Sequence, residues 1–455
     1  MTMTRRDLVA AALLLPAGAR AQTPEPAFRV LEAREGALRL LSEPSAMTPV
    51  LGFDGQVAGP LLRVKHGEEL RLRLVNRLTR PTAIHWHGVR NLNAMDGVAG
   101  LTQPPVAPGA SFDYRFTPPD AGLYWYRASD WPDAAEQKGR GLYGVLIVDE
   151  VEPPPVDHEI LLVLDDWRLD EKGAVAPDFL AAADVTGEGR VGQFITVNSK
   201  SAPETATFAP GARVRLRFLN ACNARLAGIV FENLDPMVVG IDGQPCDAFA
   251  PIRNTVPAGP GSRFDLLFDL PREAGKEARV MLRGGGLRAD AGGEPDRPML
   301  TIRTDGEAFP ARPAIKGPAL NPRLPAEVKL QNAKRLDLNI DAGASKNPRE
   351  AWTINGVAGS PTVKPLFSIP RGQPVTLGFV NRTQVAQTMH AHGFHMRVLH
   401  LLDDGWEPYW RDAVIIPPGR TVRVAFVADN PGKWLIESTI LEHAMSGAMA
   451  WFEVK

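Results

Sequence analysis

An internal repeat is the feature of this sequence that most limits its fold. A ten-residue unit runs from a glycine to an asparagine around alternating apolar residues, and it occurs at residues 67–76, 211–220 and 372–381. Such alternation is typical of a β-strand with one buried face, and the closing asparagine favours a turn. The unit therefore predicts three strands at equivalent places in three copies of one β-structure.

A second repeat supports the same architecture. An eight-residue unit from glycine to phenylalanine follows each copy of the first, at residues 109–116, 261–268 and 419–426, with proline shortly before each glycine. The copies lie too far apart for a solenoid and favour separate β-sandwich domains. Proline clusters at residues 152–155 and 309–325 mark the boundaries. We predict an all-β chain with domains at residues 22–152, 153–310 and 320–455, which suits a length of 455 residues.

Two histidine motifs indicate a metal site. One is His85-Trp86-His87-Gly88, and the other is His390-Ala391-His392-Gly393 in the last copy of the repeat. Because side chains alternate along a strand, the two histidines of each motif point the same way. Imidazole is a common ligand of copper and zinc, so the four histidines predict a metal centre if the motifs meet.

The chain resembles the multicopper oxidases, the laccase-like family of linked cupredoxin domains, from about residue 28 to residue 455. The motifs that carry the resemblance surround the first histidine pair, at residues 82–88, 96–98, 102–103, 108–109, 124–126 and 141–144. The resemblance implies three cupredoxin-like Greek-key β-sandwich domains, with copper where the first domain meets the third. The second domain carries only His158, which matches no ligand motif.

The resemblance also implies which ligand positions are kept. His85 and His390 stand at the positions of the type 2 copper ligands, and both are histidine. Of the six histidines that hold the paired type 3 coppers, His87 and His392 remain. The other four positions carry Arg127, Ser129, Glu437 and Thr439.

The type 1 position departs further from the family pattern. Gln387 and Ser438 stand where the family has a histidine and the cysteine, and only His443 remains of the ligand set unless Met449 substitutes for the axial methionine. A serine hydroxyl stays protonated near neutral pH and cannot replace the thiolate that a type 1 copper needs. We therefore expect the type 1 centre, electron transfer to a copper cluster and four-electron reduction of dioxygen to be absent.

Two interpretations of the remaining histidines stay open at this point. In one, His85, His87, His390 and His392 bind a single copper or zinc ion, with Glu437 and His443 as further candidate ligands. In the other, they are inherited residues hydrogen-bonded within a polar interface. In either case we predict that Arg127 and Glu437 form an ion pair between the first and third domains.

Two function classes follow from these interpretations. Some bacterial relatives that are exported and stripped of copper ligands act as scaffolds in cell division and envelope maintenance, which would require an envelope protein partner. The alternative is a copper-dependent oxidoreductase or copper-tolerance protein that uses the four motif histidines. Both differ from a laccase.

Residues 1–21 predict export. Arg5 and Arg6 precede an apolar stretch at residues 9–16, and a small-x-small pattern ends at Ala21. This order is typical of a twin-arginine signal peptide and predicts a periplasmic protein without a transmembrane segment. The 51 basic and 52 acidic residues give no sign of nucleic-acid binding. In an oxidising periplasm, Cys222 and Cys246 would form either a disulfide or two free buried thiols.

Overall fold

The structure is a computed structural model that describes residues 27–41, 45–201, 203–287, 294–343, 345–399 and 405–455. The predicted signal peptide at residues 1–21 lies outside these ranges. The described residues form six β-sheets and a few short helices. The all-β prediction is confirmed.

Three sandwiches, each of two sheets, follow one another along the chain. The first sandwich contains β1 Arg29–Leu38, β2 Thr48–Phe53, β3 Leu62–Lys65, β4 Leu70–Asn76, β5 Ile84–His87, β6 Ser111–Phe116, β7 Gly122–Ala128 and β8 Tyr143–Asp149. The second contains β9 His158–Trp167, β10 Phe194–Val197, β11 Glu204–Phe208, β12 Arg213–Asn220, β13 Ala227–Glu232, β14 Met237–Ile241, β15 Gln244–Phe249, β16 Thr255–Ala258, β17 Arg263–Asp269, β18 Glu277–Leu282 and β19 Arg297–Thr304. The third contains β20 Lys334–Ala342, β21 Trp352–Ile354, β22 Ser368–Ile369, β23 Pro374–Asn381, β24 Gln387–Ala391, β25 Arg397–Val398, β26 Ala413–Ile416, β27 Thr421–Val427, β28 Gly432–Ser438 and β29 Met449–Val454.

The order of strands is similar in the three sandwiches. The sheets of the first are β2-β1-β4-β6 and β3-β8-β7-β5. Those of the second are β10-β9-β12-β17-β14-β15 and β11-β19-β18-β13-β16, and those of the third are β21-β20-β23-β27-β25 and β22-β29-β28-β24-β26. The helices are short: α1 Ala134–Gly139, α2 Ala182–Thr186 and α3 Leu441–Met445, with 3₁₀ turns at Asn93–Met95, Ile252–Asn254 and Pro348–Glu350.

The two sequence repeats form one antiparallel strand pair in each sandwich. β4 pairs with β6, β12 with β17, and β23 with β27. The asparagine that ends the ten-residue unit has the same hydrogen-bond role in all three copies. The side-chain amide of Asn76 donates to the carbonyls of Arg80 and Val106, and Asn220 and Asn381 donate to two corresponding loops in the same way. A buried amide with two acceptors fixes the turn that follows each strand.

Each sandwich buries its own apolar core, and the cores are joined by apolar interfaces. Leu72 and Leu74 of β4 meet Trp86 of β5 in the first core. A second cluster joins the first and third sandwiches and includes Val98, Ala134 and Leu441. Trp125 and Leu219 belong to a third cluster between the first and second sandwiches. Packing thus fixes the interface at which the histidine motifs lie.

Two further sequence expectations concern the cysteines and the membrane. Cys222 and Cys246 are both buried free thiols, so the disulfide alternative is not observed. Within the described ranges, the helices are too short and polar for any of them to cross a bilayer.

Candidate metal centre

The first histidine motif lies on β5, where every side chain is buried. His85 and His87 are 1% and 0% exposed. In the antiparallel pairing of β5 with β7, His85 lies opposite Arg127 and His87 lies opposite Trp125. Directly opposed residues share a sheet face, so these four side chains project toward the same side.

The second motif is positioned by a corresponding pair of strands. His390 on β24 lies opposite Glu437 on β28, and His392 follows directly after β24. Both imidazoles are buried. Each motif is therefore paired with a strand that carries one charged residue, Arg127 in the first sandwich and Glu437 in the third.

The structure brings the four motif histidines together. The rings of His85 and His392 stack with centroids 3.8 Å apart, and those of His87 and His390 stack at the same distance. The centroids of His390 and His392 are 4.8 Å apart. Candidate ligand atoms of His85, His390 and His392 all lie within 4.8 Å of one another, and those of His87, His390 and Asp412 form a second such group, so His390 is common to both.

Two aspartates orient these rings in the same way. The Nδ1 atom of His85 lies 3.0 Å from the carbonyl oxygen of Asp96, and Nδ1 of His390 lies 2.9 Å from the carbonyl oxygen of Asp412. A carbonyl can only accept, so each Nδ1 carries the proton and donates it. The Nε2 atoms of both rings are left with a lone pair.

These Nε2 atoms provide a test of whether a metal fits the site. Nε2 of His85, Nε2 of His390 and both ring nitrogens of His87 are buried and have no hydrogen-bond partner among the described residues. Buried polar atoms are normally satisfied, so a group of unpartnered imidazole nitrogens indicates a missing partner. A metal ion supplies that partner, and imidazole suits copper. The donor set therefore fits a metal.

His392 differs from the other three histidines because both of its nitrogens are engaged. Nδ1 lies 3.0 Å from Asp96 Oδ2, and Nε2 lies 3.2 Å from Glu437 Oε1. Burial lowers the pKa of His392, but the two carboxylates outweigh it and raise the pKa to about 9. In this arrangement His392 is an imidazolium that donates to both acids. To bind a metal it must release Glu437.

Arg127 completes this charged group. Its Nη2 atom donates to Glu437 Oε1, and both side chains are nearly inaccessible to solvent. The predicted ion pair between the first and third sandwiches is therefore confirmed. Burial acts to raise the pKa of Glu437, yet Arg127 and His392 hold it below the usual range.

Burial dominates the electrostatics of the other imidazoles. It lowers the pKa of His85 to about 4, with a further contribution from the neighbouring positive charge of His392. Burial likewise lowers the pKa of His87 and of His390, although Asp412 opposes the shift in both. These three imidazoles are neutral near pH 7, as metal ligands must be.

Asp412 is a residue of this centre that sequence reasoning missed. Its Oδ1 atom lies 3.6 Å from Nε2 of His87 and 3.5 Å from Nδ1 of His390. Arg263 of the second sandwich holds its two carboxylate oxygens, with Nη2 to Oδ2 at 2.6 Å and Nη1 to Oδ1 at 3.1 Å. The only signal in the sequence was that Arg263 falls within the repeat unit at residues 261–268.

Glu437 and His443 were the two further candidate ligands, and in the structure Glu437 contacts a motif histidine whereas His443 does not. Glu437 is in contact with His392, as described above. His443 has both nitrogens engaged elsewhere: Nδ1 lies 3.2 Å from Gln387 Oε1, and Nε2 lies 3.0 Å from the carbonyl of Gly187. Within the described ranges, His443 joins none of the clusters of candidate metal ligands.

Ser438, at the position of the type 1 cysteine, is also buried and hydrogen-bonded. Its hydroxyl oxygen accepts from the backbone N–H of Ile440 at 3.2 Å. The indole of Trp352 stacks on His443 with centroids 4.2 Å apart. Gln387, Ser438 and His443 are thus all buried and hydrogen-bonded within the protein.

Comparisons with known proteins agree with this geometry. Two multicopper oxidase domain families match residues 39–153 and 325–455. The crystal structure of a multicopper oxidase from Pseudomonas thermotolerans has 31% sequence identity and a TM-score of 0.82, and the alignment covers 94% of this chain and 99% of that one.

The chain belongs to the multicopper oxidase family. The multicopper oxidase MmcO of Mycobacterium tuberculosis is 28% identical over 433 residues, which cover 87% of this chain and 81% of that protein. A copper resistance protein A homolog from Pseudomonas syringae pv. tomato is 23% identical, with 87% of each chain covered. Membership of the family confirms the cupredoxin-like β-sandwich fold and supports copper as the metal.

Proposed function

We propose that this multicopper oxidase family member binds one copper ion between its first and third sandwiches and does not reduce dioxygen to water. The observation that carries the proposal is the pair of buried Nε2 atoms on His85 and His390, which have no hydrogen-bond partner in the part of the chain that the structure describes. His87 and His392 would complete the ligand set, and His392 would first have to release its Nε2 proton and its contact with Glu437.

The residues around these histidines have defined roles in the proposed site. The carbonyls of Asp96 and Asp412 fix the tautomers of His85 and His390, which directs Nε2 toward the metal. A copper ion bound by imidazoles supplies one-electron chemistry or simple storage. Burial of all four imidazoles keeps bulk water away from the ligand atoms.

Arg127 and Glu437 support a site for a single ion. Arg127 stands at a type 3 ligand position, and its guanidinium stays positively charged and has no lone pair to offer a metal. Arg127 also forms an ion pair with Glu437, which stands at another type 3 ligand position. A second and third copper would have to displace this buried pair.

The surroundings of His443 support the proposed loss of the type 1 centre. Ser438 offers a hydroxyl in place of a thiolate, and His443 is bonded to Gln387 and Gly187. Without a type 1 copper, electrons from a reducing substrate have no established path to the histidines. We infer a role in copper binding or copper tolerance, in keeping with the name of the Pseudomonas syringae relative.

Metal analysis of the purified protein tests the proposal. We expect about one copper per chain, no intense blue absorption, and no oxygen uptake with phenolic substrates. The double variant H85A/H390A should lose the copper. The matched variant H443Q changes another buried histidine and should retain it. Three or more coppers per chain with a blue band would overturn the proposal.

The scaffold function is the second candidate, and one observation favours it. Arg127, Glu437, His392 and Asp96 form a continuous chain of charged side chains that satisfy one another. A wild-type protein that takes up no copper would favour this candidate and an envelope partner. For either function we propose the periplasm as the location, on the strength of the signal pattern at residues 1–21.

A further inference from the structure

The second sandwich contributes a buried arginine to a centre whose ligands all come from the other two. Arg263 begins β17 and is 0% exposed. Its Nε atom donates to the carbonyl of Leu123 in the first sandwich, and its two terminal nitrogens donate to Asp412 in the third. Arg263 therefore contacts all three sandwiches at one point.

The backbone next to His87 leaves room for the ion pair of Arg263 with Asp412. Gly88 closes the first histidine motif and has a φ of +86°. A Cβ atom added there would lie 2.1 Å from Nη2 of Arg263 and 2.4 Å from Oδ2 of Asp412. The glycine after His87 is thus required both by its backbone conformation and by the ion pair beside it. This accounts for a motif residue that the metal site alone does not explain.

Asp412 has a second partner within reach. Its Oδ1 atom lies 3.6 Å from Nε2 of His87, slightly beyond hydrogen-bond distance, and both nitrogens of His87 have no partner among the described residues. A buried carboxylate that lost its arginine would need new donors. Two imidazole nitrogens lie near Oδ1 of Asp412, Nε2 of His87 and Nδ1 of His390. Nδ1 of His390 already donates to the backbone carbonyl of Asp412, so Nε2 of His87 is the one that is free to donate.

We propose that Arg263 is a positioning residue for the metal centre. By holding both carboxylate oxygens of Asp412, it keeps Oδ1 at 3.6 Å from Nε2 of His87 and leaves that imidazole available to the metal. This role rests on the proposed copper site. The effect of Arg263 on the protonation of the two His87 nitrogens can nevertheless be measured without copper.

The alternative is that Arg263 only ties the sandwiches together. Arg217 provides a matched control because it is also buried in the second sandwich and binds carboxylates, including Glu159 with Nε to Oε2 at 2.9 Å. Among the described residues, its hydrogen bonds and ion pairs go to Glu150, Glu159 and Asp265 and not to the four motif histidines. An effect limited to general stability should appear in R217Q as well as in R263Q.

The primary experiment is NMR of metal-free protein labelled with ¹⁵N-histidine, which reports which ring nitrogen carries the proton. In R263Q we expect His87 to become fixed with a proton on Nε2, donated to Asp412. In the wild type and in R217Q the His87 signals should agree with each other. R263K should lie closer to the wild type, because an ammonium still binds the carboxylate.

The second readout is copper binding. Changes in residues that orient metal ligands cost about 10–100-fold in affinity, and we expect a loss of this size in R263Q and little loss in R217Q. The electron paramagnetic resonance spectrum of bound Cu(II) should change in R263Q alone. If R263Q fails to fold, R263Q/D412A removes both partners, and its His87 should match the wild type.

The outcomes separate this inference from the proposed function. A folded R263Q protein whose His87 signals equal those of the wild type would overturn the positioning role, whatever the copper content. A wild-type protein that binds no copper would overturn the proposed function, while the NMR comparison would still decide what Arg263 does to His87.

Discussion

Arg127 and Glu437 form a buried ion pair between the first and third sandwiches, and each lies opposite a motif histidine in its own sheet. Arg127 is the cross-strand neighbour of His85, and Glu437 is that of His390. The pair therefore links the two histidine motifs through their neighbouring strands. It also brings one positive and one negative charge to positions where related proteins are expected to carry histidines.

Breaking this pair should destabilise the protein strongly. R127A leaves Glu437 buried next to His392 alone, and loss of one partner of a buried pair costs about 3–5 kcal/mol. Replacing both residues with apolar ones, as in R127M/E437L, should restore much of the lost free energy of unfolding. Urea unfolding of the wild type, R127A, R127M, E437L and R127M/E437L measures these losses and the coupling between the two residues. Equal losses in R127A and R127M/E437L would contradict the prediction.

Gly261 should affect copper binding through its contact with His87. A Cβ added at Gly261 would lie 3.1 Å from both Cε1 and Nε2 of His87, so we expect G261A to push the ring and to weaken copper binding by about tenfold. Gly419 holds the equivalent repeat position, has a similar positive φ and has open space around it. G419A should cost about 1 kcal/mol of stability through its backbone alone and leave copper affinity unchanged. Copper titrations of the two variants provide the comparison.

The type 1 position should regain copper only when two residues are changed together. Q387H/S438C supplies a second imidazole and a thiolate beside His443, the ligand set of a blue copper site. We expect this variant to develop an intense visible band with added copper, whereas S438C alone should not. Absorption spectra of the two variants test this. A blue band in S438C alone would show that His443 and the thiolate suffice.

His443 should make the protein sensitive to acid. Burial lowers its pKa to about 3, so the folded state favours the neutral imidazole, while in the unfolded chain the pKa returns to its ordinary value of 6.5. The stabilisation is complete above pH 6.5 and is lost as the pH falls toward 3. Between pH 7 and pH 5 the wild type should lose about 2 kcal/mol that H443Q does not lose. Urea midpoints at the two pH values measure the difference, and parallel curves would contradict it.

The fold was largely predictable because it repeats. Three copies of one alternating unit required three equivalent strands, and each closing asparagine now has a defined hydrogen-bond role. The domain limits at residues 22–152, 153–310 and 320–455 stay predictions. Loop pairings such as the contact of His443 with Gly187 were not predictable, because they join residues with no local sequence relationship.

The site was predictable in part. His85, His87, His390 and His392 were found from their spacing, and the ion pair of Arg127 with Glu437 followed from the positions they occupy in the family pattern. Arg263 and Asp412 were missed since an isolated arginine or aspartate carries no spacing signal. Their roles arise only when three sandwiches meet.

The four imidazoles are between 0% and 1% exposed, and this burial bears on how fast an ion could arrive or leave. Because the rings are not accessible to solvent, an ion would reach His85 and His390 only after part of the surrounding structure opens. Uptake by the folded protein would then follow the rate of that opening at high copper concentration and become independent of how much copper is present. Release would be limited by the same event, so a chelator would remove the metal slowly even if it bound copper far more tightly than the protein does.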